Sequence, residues 1–297
     1  MIRKGTAFTF FDKPLEIFSF FEGIKLLYFT DTSFGNFLLH THNNVEVMLI
    51  LDGDVEMLIG NKRYHVPQGS LISIPPRIPH HTIIPPGMDH YERMVLHIFP
   101  EYLESLLTWC NLPPDQFRFL FEVQLLEATP ENLWIFRTFF ERAFYIQSQN
   151  EIYQKSVFPC LIIEIFMELE LRLKNQEKPP IPVTNNLVTT VVNYIDEHFS
   201  EPGLTIEDIR KSVYVSQGYL SRVFKAYTGT SLYSYLISKR LLYAKELLAS
   251  GTSVLDSCLM CGFSDYTCFL KSFKKHYGLT PGQFRRQNAE NSSGGEE

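Results

Sequence analysis

Residues 216–229 read SQGYLSRVFKAYTG, and residues 264–278 read SDYTCFLKSFKKHYG. Each stretch opens on side chains that can cap a helix, carries apolar residues three and four apart, and closes on glycine. Leu220, Val223 and Phe224 share one face of the first, and Phe269 and Phe273 share one face of the second. A shorter helix and a turn precede each copy. Thr205 with Asp208 forms the pattern of a capping box ahead of a turn at 213–215, and Val254 to Met260 leads into the tight turn Cys261-Gly262-Phe263. Ser231 to Ala249 reads as one helix closed by Gly251, and Val188 to His198 reads as a helix stopped by Pro202-Gly203. The chain therefore repeats one helix-turn-helix unit within an all-α region.

A unit of this kind can lay its second helix in a DNA major groove and offer polar side chains from the N-terminal half to base edges. In the first copy those side chains are Ser216, Gln217, Ser221 and Arg222, with Lys225 placed for phosphate. In the second they are Tyr266, Thr267, Leu270 and Lys271, with Lys274 and Lys275 on the phosphates. A single copy reads equally well as an ordinary surface helix, and the repetition is what favours DNA. Charge agrees: residues 186–287 hold 12 Lys and Arg against 8 Asp and Glu, whereas residues 1–185 hold 15 against 22.

The segments YLSRVFKAYTGTSLYSYLISKRLLYAKELL (219–248) and GFSDYTCFLKSFKKHYGLTPGQFR (262–285) closely resemble the AraC/XylS family of bacterial transcription regulators. The resemblance spans about a hundred residues. It implies that Ser221 and Arg222, and then Tyr266, Thr267 and Lys271, face the grooves. Arg210 stands where that family favours Ala, Ser257 where it favours Ile, and Gly218 where a contacting side chain is common.

The N-terminal part follows a different period. FLLHTH (37–42), VEVMLIL (45–51), VEMLI (55–59), LISI (71–74) and MVLHI (94–98) are short strands separated by Gly, Asn and Pro turns. Alternation puts His40 and His42 on one strand face, and a turn at Asn43-Asn44 brings Glu46 beside them; His80 follows after Gly69, Pro75 and Arg77. Three imidazoles and a carboxylate are a competent ligand set for a divalent transition metal. A polar effector pocket is the reading favoured over a metal site or a purely structural cluster. The arrangement resembles the two motifs of the cupin barrel superfamily, with Arg77 replacing the usual Gly and Ile84 a common Asn. Met48, Met57 and Tyr64 are candidates to line the same cavity, while His65, His81, His90 and His97 read as surface or core residues.

The expected fold is α+β: a cupin-like sensor barrel over 1–100, a helical dimerisation segment over 101–178, a linker over 179–186, a double helix-turn-helix domain over 187–287 and a disordered tail over 288–297. Leu133, Phe136, Phe139, Phe140 and Ala143 mark one amphipathic helix of the middle segment. Leu161, Ile162, Ile165, Phe166, Leu169 and Leu173 mark another, with Pro159 in its first turn. Cys110, Cys160, Cys258, Cys261 and Cys268 are an odd set with no disulfide framework, and no apolar run is long enough for a membrane helix. These features point to a cytoplasmic regulator with no required cofactor, whose partners are promoter or operator duplex DNA, a small effector such as a sugar, and a second copy of itself. The alternative is a metal-dependent cupin enzyme, an isomerase or oxygenase, fused to a DNA-binding domain. The joining helix, 231–249, spans about 27 Å at 1.5 Å per residue, less than the roughly 34 Å between successive major grooves. Bound DNA is therefore expected to bend, which a circular-permutation mobility assay measures; an unbent complex contradicts the spacing argument.

Overall fold

A computed structural model describes residues 18–20, 23–32, 39–177 and 180–293, with side chains described from residue 23 to residue 287. Phe37 and Leu38 of the expected first strand, Lys178 and Pro179 at the expected linker, and residues 294–297 of the expected tail lie outside the described residues. Two antiparallel sheets make up the N-terminal part. One has the order β1 (Phe18–Phe20), β2 (Ile24–Asp31), β8 (Tyr91–Ile98), β3 (Val45–Asp52), β6 (Leu71–Ile74) and β9 (Gln124–Leu126). The other has the order β5 (Lys62–Val66), β4 (Val55–Ile59) and β7 (His80–Ile83).

Strand periodicity sorts the side chains into three layers. Met48 and Ile50 of β3, Ile72 and Ile74 of β6, and Tyr91 and Val95 of β8 meet Val55, Met57, Ile59, Tyr64 and Val66 of the smaller sheet in one buried interior. Met48, Met57 and Tyr64 thus lie inside the barrel, as their alternation predicts. On the outer side of the large sheet, Val45, Val47, Leu49, Leu96 and Ile98 pack against helices. Those helices are α1 (Pro100–Trp109), α2 (Pro130–Gln147) and α3 (Glu151–Asn175), which contribute Leu103, Phe136, Phe140, Phe158, Ile162 and Phe166 to the same core.

Three local readings change. His40 makes only an isolated bridge with His80, so residues 39–42 are an irregular approach to β3 and not a strand. Helix α3 starts eight residues before Pro159, capped by Asn150, whose side chain accepts from the Tyr153 amide. Residues 151–157 carry little apolar signal, which hides this start, and Pro159 lies inside the helix at the cost of one backbone bond. The last helix continues through 288–293, because an established ladder propagates at little cost once it is nucleated.

The C-terminal part contains α4 (Asn186–His198), α5 (Ile206–Ser212), α6 (Gln217–Thr228), α7 (Leu232–Ala249), α8 (Val254–Met260), α9 (Tyr266–Tyr277) and α10 (Pro281–Ser293). The expected caps are present. Thr205 and Asp208 form a reciprocal capping box, Ser216 and Asp265 cap α6 and α9, and Gly229 and Gly278 end them at φ 74°. Helix α7 joins two cores: Leu232, Tyr235 and Leu236 pack with Leu220 and Phe224, while Leu241, Ala244 and Leu248 pack with Phe269 and Phe273. Cys258 and Cys261 are buried in the second core, and burial pushes the Cys261 thiol up to about 12, so this pair fills space and has no nucleophilic thiolate at neutral pH. Among the described residues no helix is long and apolar enough to cross a membrane.

Phe166 is fully buried, with its ring 5.3 Å from that of Phe117. Phe166→Ala is expected to lower stability by about 3–5 kcal/mol through lost transfer energy and the cavity left behind. A urea denaturation midpoint measures the loss.

Candidate effector site and nucleic-acid interface

Glu46 lies on the interior face of β3 and is 4% exposed. Its Oε2 is 2.6 Å from His42 Nε2 and 3.0 Å from His80 Nε2, and 3.7 Å from His97 Nε2. Burial alone would push this carboxyl up, but hydrogen bonding from His42, His80 and His97 and the charge of His80 hold it well below the usual carboxylate range. Glu46 is therefore an anion in a dry place. Burial pushes the His42 imidazole down, against the pull of Glu46. His40 completes the group, its ring 4.3 Å from that of His80.

Ligand atoms of His40, His42, Glu46 and His80 all lie within 4.8 Å of one another, so the four residues named from the sequence come together as a set able to hold a divalent cation. His97 reads from the sequence as a surface or core residue, yet its ring is 4.8 Å from that of His42. The antiparallel register of β3 on β8 puts His97 directly opposite Glu46. Alternation within β8 shares out its faces, but only pairing across the sheet identifies this neighbour. Arg77 has φ 64°, in the left-handed region, and its amide donates to the His42 carbonyl at 2.8 Å. The glycine usual at this position in cupin motifs has this physical reason.

The recognition helices present most of the expected groups. Ser216, Gln217, Ser221, Arg222 and Lys225 are exposed along α6, and Tyr266, Thr267, Lys271, Lys274 and Lys275 along α9. Leu270 is the exception: it is half-buried and packs on the second core, which leaves it little surface for a groove. Without DNA the Arg222 Nε donates to the Gly218 carbonyl at 3.3 Å. The two family departures are accommodated locally. Arg210 pairs with Glu207 and donates to the Val215 carbonyl across the first turn. Ser257 is buried with Oγ making no hydrogen bond among the described residues, as expected where an apolar side chain is usual.

Contacts between the two parts were not legible from the sequence. Arg63 of β5 donates to the carbonyls of Ala226 and Tyr227 at 2.7 and 3.1 Å, and also pairs with Glu56. His81 of β7 donates from Nε2 to the Thr228 carbonyl at 2.6 Å. Tyr227 Oη donates to the carbonyls of Val183 and Asn61 at 2.6 and 3.2 Å, and Val183 bridges with Arg63. Within the expected linker, Val183 is thus tied to the edge of β5.

Residues 28–151 match the AraC-like ligand binding domain family, and residues 210–287 match a helix-turn-helix domain family. The probable transcription factor PqrA of Proteus vulgaris is 34% identical over 105 residues, which cover 35% of this chain and 86% of that protein. The chain belongs to the AraC family of transcription regulators. Other AraC-family similarity runs along both parts. The melibiose operon regulatory protein of Escherichia coli K12 is 24% identical over 262 residues, 83% of each chain. Regulatory protein PocR of Salmonella typhimurium is 37% identical over 102 residues, 34% of this chain and 33% of that protein, so this match spans a third of the relative's length. Among solved structures, the C-terminal domain of AraT, a response regulator from Geobacillus stearothermophilus, is similar at 34% identity and a TM-score of 0.34, covering 35% of this chain and 86% of that one. In this AraC-family chain the ligand-binding-domain match falls on the β-sheet part with its adjoining helices, and the helix-turn-helix match falls on the C-terminal helical part.

Tyr227→Phe removes only the hydroxyl that holds Val183. The expected cost is about 0.5–1.5 kcal/mol in urea denaturation, together with faster limited proteolysis within 180–186. Unchanged cleavage there would show that the segment is held by other contacts.

Proposed function

We propose that the chain is a one-component regulator. Its reader, 187–287, binds promoter or operator duplex DNA through α6 and α9. Its sensor, 1–100, takes a small effector against His40, His42, Glu46 and His80. The helical segment 101–178 pairs two copies, and 179–186 connects sensor to reader. The work is done in the cytoplasm and without a required cofactor. The observation that carries this reading is the pair of recognition helices, each seated on its own core with a row of polar and cationic side chains left exposed.

The effector reading is supported by the chemistry of this cluster. A buried carboxylate and converging imidazoles supply directed polar groups, and the adjoining turn buries Thr41 Oγ1 and Asn44 Nδ2 without hydrogen-bond partners among the described residues. Sugars, rich in paired hydroxyls, are the effector class suited to such groups, and two relatives are named for the melibiose and lactose operons. Exposed Trp134, Tyr145, Ile152 and Leu171 on α2 and α3 support self-association. The enzyme alternative has less behind it, because the relatives matched along both parts bear regulator names.

Sequencing of duplexes selected from a random pool by the purified full chain defines the preferred site. Arg222→Ala is expected to relax preference at one position of that site and cost about 1–3 kcal/mol. Lys274→Ala weakens binding to all sequences alike and flattens its salt dependence. An Arg222→Ala protein with unchanged affinity and preference moves base reading to other side chains.

A further inference from the structure

Among the described residues, Arg77, Asn111 and Tyr214 are the non-glycines with a left-handed backbone, at φ 64°, 52° and 54°. Asparagine tolerates that region, and the Arg77 amide is committed to the His42 carbonyl. Tyr214 is different. It is bulky, it is 94% exposed, and its ring and hydroxyl have no partner among the described residues. An L side chain in this conformation costs backbone energy that burial or a hydrogen bond has to offset. Inside the chain nothing does.

The second helix-turn-helix unit shows what this turn prefers. In each unit the shorter helix ends on a C-cap, Val213 after α5 and Cys261 after α8, and the next residue turns left-handed. In the second unit that residue is Gly262, at φ 83°; in the first it is Tyr214. A Cβ on Gly262 would stand 2.6 Å from the Phe199 carbonyl oxygen, so glycine is required there by space as well as by φ. The turn at 214 opens outward instead. Val213 and Val215 on either side pack against the first core, which leaves Tyr214 as the side chain that projects.

What it projects towards follows from its place. Tyr214 comes two residues before Ser216, the cap of α6, and so stands at the rim of the face formed by exposed Gln217, Ser221 and Arg222. The rim of a groove is the duplex backbone, whose phosphate oxygens accept hydrogen bonds, and a phenol has one O–H to donate. The first unit is also the poorer in cations. With the caps Ser216 and Asp265 and the closing glycines Gly229 and Gly278 superposed, Lys225-Ala226 stand where the second unit has Lys274-Lys275. We propose that Tyr214 Oη donates to a phosphate oxygen on the strand bordering the groove that α6 enters, a neutral anchor for the first reader where the second uses an additional lysine. This deepens the reading of α6 as a DNA-binding helix and rests on it.

The test measures, by fluorescence anisotropy over a range of salt, the affinity of the full chain for a duplex that the chain itself selects from a random pool. Tyr214→Phe is expected to bind about three- to tenfold more weakly. Its base preference and its slope of log affinity against log salt should both stay the same, because a neutral donor releases no counterion. Tyr214→Gly should lose at least as much affinity while unfolding at a urea concentration no lower than the parent, since glycine suits the left-handed turn. Tyr214→Lys, which puts a cation at the same place, should recover affinity and steepen the salt slope by about one. Unchanged affinity in both Tyr214→Phe and Tyr214→Gly overturns the contact. A loss confined to Tyr214→Gly overturns it as well, because the hydroxyl then carries no bond. Altered base preference in Tyr214→Phe puts the hydroxyl on a base edge and overturns the phosphate assignment. A chain that selects no DNA site overturns the reader reading on which the proposal rests, an outcome distinct from the other three.

Discussion

At the end of α6 the backbone runs out of its own amide donors, and the carbonyls of Ala226, Tyr227 and Thr228 take theirs from the barrel. Arg63 brings a cation to the negative end of that helix, and His81 brings a ring N–H. Gly229 allows the approach. A Cβ there would stand 3.1 Å from Ile83, on a backbone already at φ 74°. Because these groups come from β5 and β7, the first recognition helix is oriented by the sensor as well as by its own domain. Leu58 and Ile83 of the sensor extend the same contact as apolar surface. The second recognition helix sits on a separate core and is tied to the first mainly through α7.

Period two in the small sheet makes this arrangement economical in residues. On β7, His80 and Thr82 face the barrel interior while His81 and Ile83 face the reader, so one four-residue strand serves both environments. The two histidines have opposite surroundings. His80 meets a carboxylate, whereas His81 meets a backbone carbonyl, and burial pushes the His81 imidazole down to about 4, which keeps it a neutral donor at neutral pH.

How much of this can be read from the chain follows from how local each cause is. The repeated units are legible because caps, closing glycines and helical spacing lie within a few residues of one another; Thr205 with Asp208 and Ser216 with Gly229 mark their elements directly. The four ligand candidates are legible because three of them fall within seven residues. His97 is not, since it joins Glu46 only through the register of β8 on β3. Arg63 and His81 are still less so. Their partners lie 163 and 147 residues away, and nothing in local pattern distinguishes an outward arginine on a strand from one that caps a distant helix. The start of α3 is hidden for the opposite reason: its cap at Asn150 is local, but the seven residues after it bury little, so Pro159 reads as the first turn.

The seat of α6 also bounds what any effector of this chain has to supply. A ligand shifts an equilibrium only by the difference between its affinities for the two arrangements. The contacts that hold α6 to the barrel are hydrogen bonds of about 0.5–1.5 kcal/mol net each. Losing one or two of them is enough for about a tenfold change in how often α6 is presented in one orientation, since about 1.4 kcal/mol is a factor of ten. Tight effector binding is therefore unnecessary; what matters is that the bound state favours one position of β7 over another. Leu39-His40 and His80-His81 meet this requirement structurally, because each pair is joined by a single peptide bond with one side chain in the cluster and the other in the interface. A displacement of the first side chain that moves the backbone cannot leave the second in place. The stiffness of that link comes from the two backbone bonds between His40 and His80, which make the two segments move as one.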